Sequence, residues 1–148
     1  MKTWRPGGVP LHPALVHFPV VFWTLDAALE SWAILTTSAS AWRLALWSLA
    51  AGCLSALPAM AAGVPELLAL DGESAQAAAA WRHAMLMATA WTVFTLLLVL
   101  APAGAPPPTL PALVHCAGAL AGFALLAAGG HAGGRLVYHH GIGMRDRP

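Results

Sequence analysis

Four long apolar stretches dominate this 148-residue chain. They cover about residues 13–37, 43–64, 81–101 and 110–130, and each can cross a bilayer, which takes about 20 residues of helix. The whole chain has only seven Lys and Arg residues and six Asp and Glu residues. So few charges cannot cover a soluble globule, in which about 25% of residues are charged. We therefore predict a single transmembrane domain over residues 1–148.

The composition of the four stretches indicates helices. Ala, Leu, Trp and Met dominate them, without the alternation of polar and apolar residues that marks barrel strands. In the connection before the third stretch, Asp71 and Gly72 form a turn signal, and Ser74 is placed to cap a helix. We predict an all-α, integral membrane four-helix bundle with both termini on the same side and a His/Gly-rich tail over residues 131–148. No internal repeat is convincing in the sequence.

The positive charges distinguish the two sides of this bundle. Four crossings place both termini and the connection between the second and third spans on one side. That side carries Lys2, Arg5, Arg82, Arg135, Arg145 and Arg147. The other side carries only Arg43. Because cytoplasmic loops are rich in Lys and Arg, we predict that both termini are cytoplasmic.

Several function classes are unsupported by the sequence. A formal net charge of +1 provides no basic surface for nucleic acid. No catalytic triad, phosphate-binding loop or hydrolytic pair of carboxylates is visible in the sequence. We therefore expect an electron-transfer or structural membrane protein rather than a hydrolase or a transferase.

Six of the seven histidines fall at the predicted cytoplasmic end of the bundle. These six are His12, His17, His83, His131, His139 and His140. Imidazole is a common ligand of transition metals and of haem iron. We interpret four of them as a shared polar or metal site: His12, His17, His83 and His140. The spacing of these histidines matches no zinc or c-type haem motif. The alternative is therefore that each histidine hydrogen-bonds a helix end.

The first span also carries two carboxylates. Asp26 and Glu30 are four residues apart and therefore share one helix face. An ionisable residue near the middle of a membrane is a functional candidate. The alternative is that Asp26 is protonated or hydrogen-bonded between helices and that Glu30 pairs with Arg43. We interpret His115, in the fourth span, as a hydrogen-bonding group between helices.

The two ends of the chain resemble a known family. Residues 12–19 (HPALVHFP) resemble the HPxxVHFP opening of a bacterial membrane family called domain of unknown function 2231, and residues 133–143 (GGRLVYHHGIG) resemble its closing GGxLVYxHGxG. Residues 82–84 match the family's RHA at the start of the third helix. The resemblance covers the whole chain and implies four helices in a bacterial inner membrane. The family's histidines fall on His12, His17, His83 and His140, whereas His139 falls at a variable position.

The leading hypothesis is a small cytochrome-like membrane protein. Four histidines can supply paired imidazole ligands for one or two b-type haems within a helix bundle. We expect His17 with His83 as the first pair, and His12 with His140 as a second pair or as groups that orient the first. The remaining residues assigned to the cofactor site are Arg82 and Arg135, as partners of the haem propionates, and Tyr138.

The resemblance also suggests partners. Some relatives are fused to Rieske iron–sulfur proteins or resemble their partners, which implies electron exchange with such a redox protein or with a quinone. One alternative is a non-catalytic membrane module in which the histidines and Tyr138 form a structural hydrogen-bond network. Another is a metal-ion carrier in which Asp26 and Glu30 form the path.

Overall fold

A computed structural model of the protein describes residues 11–102 and 109–142. These residues form the helices α1 (Leu11–Leu15), α2 (His17–Thr36), α3 (Ala39–Leu68), α4 (Ala75–Val99) and α5 (Leu110–Tyr138). Only one residue separates α1 from α2, and the two together make one crossing. The described chain thus has four helical segments that are long and apolar enough to cross a membrane. The predicted all-α membrane bundle is confirmed.

The starts of the three helices α3, α4 and α5 have side-chain caps. The hydroxyls of Ser38, Ser74 and Thr109 each accept a bond from the backbone N–H three residues further on, at 3.2, 3.0 and 3.4 Å. Each cap satisfies one of the N–H groups that a helix start leaves without a partner. The turn before α4 is closed by the Ser74 N–H, which donates to the Asp71 carbonyl at 3.0 Å. The prediction that Ser74 caps the third crossing is confirmed.

The helices extend beyond the apolar stretches that predicted them. α5 continues through part of the predicted tail to Tyr138, and α3 runs from Ala39 to Leu68. Hydropathy marks the part of a helix that suits hydrocarbon, whereas hydrogen bonding continues the helix into the membrane interface. α5 ends where Gly141 takes a φ of 69°, and there the Ile142 N–H donates to the Leu136 carbonyl at 3.0 Å. Glycine adopts this left-handed conformation without steric cost.

The four crossings are organised as two helix hairpins. α2 packs mainly on α3, and α4 packs mainly on α5. The hairpins meet through the α2–α5 and α3–α4 contacts. At the centre of the bundle, Trp23 of the first hairpin stacks on Phe94 of the second, and Leu49 and Leu126 complete the buried core around them.

The two hairpins repeat one set of contacts. In the first hairpin, His12 lies 2.8 Å from the Ala59 carbonyl of α3 through its Nδ1 atom. In the second hairpin, His83 makes the same contact with the Gly129 carbonyl of α5, also at 2.8 Å. Each histidine lies near the start of the first helix of its hairpin, and each carbonyl lies in the last third of the second helix.

The repetition extends to the bundle centre. Trp23 follows His12 by eleven residues and packs against Gly52, just as Phe94 follows His83 by eleven residues and packs against Gly122. The hairpins therefore share these contacts in an approximate twofold arrangement, a structural repeat that the sequence analysis did not reveal. Among the residues that make these contacts, the histidines and the glycines under the aromatic rings are identical in the two hairpins, whereas Trp23 is matched by Phe94.

The histidine contacts also define the ends of the bundle. They place the start of the first crossing, the end of α3, the start of α4 and the end of α5 together. Both ends of the described chain therefore lie at the same end of the bundle. Four of the charges used to predict its cytoplasmic side lie outside the described residues: Lys2, Arg5, Arg145 and Arg147.

Candidate functional site

His12 and His83 come together between the two hairpins. Their ring centroids are 6.4 Å apart and the ring planes are 80° from parallel. Both rings are partly buried at the same end of the bundle. The structure thus joins two of the four histidines expected to share a site, one from each hairpin.

Hydrogen bonding defines the chemical form of both rings. Each Nδ1 lies 2.8 Å from a backbone carbonyl, the Ala59 carbonyl for His12 and the Gly129 carbonyl for His83. A carbonyl oxygen can only accept, so each Nδ1 carries the hydrogen and donates it. In the neutral imidazole this leaves the lone pair on Nε2. A ring held by an Nδ1–H bond to a carbonyl and open at Nε2 is a common form of a metal-binding histidine.

Glycines allow the two rings to lie against the neighbouring helices. A Cβ atom added to Gly63 would lie 2.8 Å from His12 Nδ1, and one added to Gly133 would lie 3.0 Å from His83 Cε1. Each glycine follows the bonded carbonyl by four residues, which is about one helical turn. The absence of a side chain at each glycine therefore leaves room for the histidine ring against the helix.

His17 and His140 lie apart from this pair. His17 is exposed, and its Nδ1 donates to the Ala14 carbonyl in the preceding turn at 3.3 Å. His140 is partly buried, and its ring packs edge-on against that of His139 with centroids 4.9 Å apart. Within residues 11–102 and 109–142, no group of three or more His, Cys, Asp or Glu side chains is arranged to hold a metal ion. The four expected histidines therefore do not form one cluster.

The other residues assigned to the cofactor site lie on the bundle surface. Arg82 is exposed beside His83 in sequence, and Tyr138 is 85% exposed. An open groove of about 330 Å³ follows the end of α5 and is lined by His131, Gly134, Arg135, Tyr138 and His139.

A second polar group lies inside the bundle. Asp26 and Glu30 are fully buried, and His115 is 4% exposed. His115 Nδ1 lies 2.8 Å from Glu30 Oε1, and its Nε2 donates to the Leu97 carbonyl at 3.0 Å. His115 is thus a hydrogen-bonding group between helices, as predicted. Arg43 is exposed, and the expected Glu30–Arg43 pair is replaced by Glu30–His115.

The sequence contained a signal for this second group. Glu30 lies six residues before the end of α2, and His115 lies five residues after the start of α5. With a rise of about 1.5 Å per residue, the two side chains lie at the same depth from that end of the bundle. Depth along the bundle does not determine which side chain contacts Glu30, because it does not show which helices are in contact.

A family model described as predicted membrane protein (DUF2231) matches residues 8–146. The chain belongs to this family. No curated protein and no solved structure is significantly similar to it. The family match spans all four crossings of this DUF2231 protein, together with both polar groups described above.

Proposed function

We propose that this DUF2231 protein is an electron-transfer protein of the membrane in which His12 and His83 bind a redox-active metal centre, with the iron of b-type haem as the leading candidate. The observation that carries the proposal is the matched pair of Nδ1–H bonds to backbone carbonyls. These bonds fix both rings and leave the Nε2 lone pair of each neutral ring free of the carbonyl contact.

The distance between the rings allows a shared metal. Imidazole nitrogens bind metals at about 2.0–2.1 Å, so two rings on opposite sides of one ion have centroids about 6 Å apart. The observed separation of 6.4 Å is compatible with such a centre, and it also falls in the range of ordinary edge-to-face ring packing. Haem fits a two-histidine site better than a bare ion such as zinc, because the porphyrin supplies four ligands and the protein supplies only the axial ones.

Other predicted residues take secondary roles in this proposal. Arg82 and Arg135 are exposed near the same end of the bundle and are proposed to neutralise the haem propionates. His140 is proposed to orient the bound cofactor, whereas His17 has no ligand role in this proposal. The electron partner is proposed to be a quinone or a redox protein such as a Rieske protein.

Spectra of the purified protein test the metal centre. Protein made in haem-replete cells and purified in detergent should show a Soret band that shifts on reduction with dithionite. His12→Ala and His83→Ala should each abolish the low-spin spectrum or convert it to a high-spin one. His17→Ala tests the pair His17 and His83 predicted from sequence, and it should leave the spectrum unchanged if His12 is the ligand.

Two neighbouring residues provide a matched control. The family resemblance assigns a site role to His140 but not to His139. His140→Ala should therefore weaken cofactor binding, while His139→Ala should have little effect. If the wild-type protein has neither a Soret band nor a bound transition metal, the proposed electron-transfer centre is wrong.

The same contacts support a second candidate, a structural lock between helices. In this role one Nδ1–H bond in each hairpin holds its two helices together. Gly63 and Gly133 provide the space for the rings. Asparagine can donate from nearly the same position as Nδ1 but has no counterpart of Nε2. His83→Asn should therefore preserve thermal stability under the structural hypothesis, whereas under the metal hypothesis it should remove the cofactor.

A further inference from the structure

Three titratable side chains form a closed group between helices α2, α4 and α5. Asp26 and Glu30 of α2 are 0% exposed, and His115 of α5 is 4% exposed. The α4 helix contributes the Leu97 carbonyl, which accepts the His115 Nε2–H at 3.0 Å. In the second hairpin, Leu97 holds the position that Asp26 holds in the first, fourteen residues after the matching histidine. The group therefore breaks the approximate twofold arrangement of the bundle.

The His115 bonds require a proton between two helices. Because the Leu97 carbonyl only accepts, His115 Nε2 carries a hydrogen. His115 Nδ1 lies 2.8 Å from Glu30 Oε1. Two bare acceptors repel each other at this distance, so a proton lies on one of them. It makes either an imidazolium–carboxylate pair or a carboxylic acid that donates to a neutral ring. His115 Nδ1 and Glu30 Oε1 are close, but they do not form a well-directed hydrogen bond.

The Asp26 carboxyl group requires a second proton. It lies one helical turn from Glu30 on the same face of α2, so two negative charges there would repel each other. Neither Asp26 oxygen receives a hydrogen bond from a described residue. Two ionised carboxylates cannot donate to each other, whereas one proton on Asp26 supplies a donor.

Among the residues that the structure describes, no cationic side chain other than His115 faces the group. The titratable side chains facing the group are Cys53 of α3 and Cys116 of α5, and both are buried free thiols. Arg43 of α3 is exposed. With two carboxyl groups and one imidazole, two bound protons make the group neutral, as the low dielectric of the membrane favours.

We propose that Asp26, Glu30 and His115 form a proton-binding site inside the bundle, in which two exchangeable protons are shared by the three side chains. The proposal is independent of the metal centre, because it involves neither histidine of the His12–His83 pair. A bare metal ion is a poorer occupant than protons, since no three such side chains in the described residues are arranged around one point.

Infrared spectroscopy of the protein in lipid tests the proposal directly. At neutral pH the wild-type protein should show the carbonyl stretch of a protonated carboxylic acid, shifted by exchange into D₂O. Asp26→Asn, which keeps the side-chain shape, should remove the Asp26 part of this band, and any band that remains then belongs to Glu30. Glu30→Gln should shift its frequency, because Asp26 then faces an amide. Glu73→Gln is the matched control and should leave the band unchanged, because Glu73 is exposed in the α3–α4 connection.

Three results would overturn the proposal. The first is the absence of a protonated-carboxyl band from the wild-type protein at neutral pH. This test does not depend on the folding of any variant. The second is a band that is unchanged in Asp26→Asn or keeps both its frequency and its intensity in Glu30→Gln. The third is stoichiometric binding of Zn²⁺ or Ca²⁺ that removes the band in the wild type and is lost in Asp26→Asn, which would make the group a cation site instead.

Discussion

Trp23 stacks on Phe94 with ring centroids 4.7 Å apart and ring planes only 9° from parallel. The two side chains occupy matching positions in the two hairpins, and they are 1% and 0% exposed. Along the first crossing, the stack lies between His12 of α1 and Asp26 of α2, which are roughly 20 Å apart by helical rise. One aromatic contact therefore joins the hairpins and separates the histidine pair from the buried acidic group.

Loss of this stack should weaken the association of the hairpins. Phe94→Ala should lower the free energy of unfolding by about 3 kcal/mol, because it leaves a cavity at a fully buried site. Unfolding by SDS in mixed micelles measures the change. Phe18→Ala is the control, because Phe18 is 56% exposed on the outer surface. Equal losses for the two variants would contradict the central role of the stack.

Two glycines should respond oppositely to alanine. In Gly52→Ala the new Cβ would lie 2.5 Å from Trp23 Cδ1, whereas nothing lies within 4 Å of the Cβ in Gly130→Ala. The rigid indole must move, so Gly52→Ala should cost about 1–3 kcal/mol. Gly130→Ala should gain roughly 0.5–1 kcal/mol from the better helix propensity of alanine. Thermal unfolding in detergent compares both with the wild type, and a stable Gly52→Ala protein would show that the α2–α3 contact is looser than described.

The cap of α4 should contribute measurably to stability. Ser74→Ala should cost about 1 kcal/mol, because the Ala77 N–H loses its hydroxyl acceptor at the helix start. Thr89→Ala serves as the control, since the exposed Thr89 hydroxyl only donates to the Met85 carbonyl of its own helix. Circular dichroism during thermal unfolding measures both variants. A loss as large for Thr89→Ala would mean that removing any helix hydroxyl has this effect.

Reporter fusions should determine which way the bundle faces. The distribution of Lys and Arg predicts that the histidine end is cytoplasmic. Alkaline phosphatase, which is active only in the periplasm, should be inactive when fused after Pro148. It should be active when fused after Thr37, in the α2–α3 connection at the other end of the bundle. The reverse pattern would place His12 and His83 on the periplasmic side.

Local chemistry determined much of the fold before any tertiary contact was known. Helix periodicity, apolar length and the Ser74 cap depend on residues that are near each other in sequence, so they predicted four crossings and the start of α4. The extent of α5 was less predictable. Gly129 and Gly133 weaken an isolated helix, yet the helix continues through them because Met87 and His83 pack against their small surfaces.

The two polar sites were also predictable in part from the sequence. The sequence alone determined how deep each polar side chain lies, because a helix rises by a fixed amount per residue. It therefore placed His12 and His83 at one end and Asp26 inside the membrane. Only the tertiary structure decided that His12 faces His83 and that Glu30 contacts His115 instead of Arg43. Neighbours across helices depend on helix rotation and on side-chain packing between distant segments, and no local pattern records these.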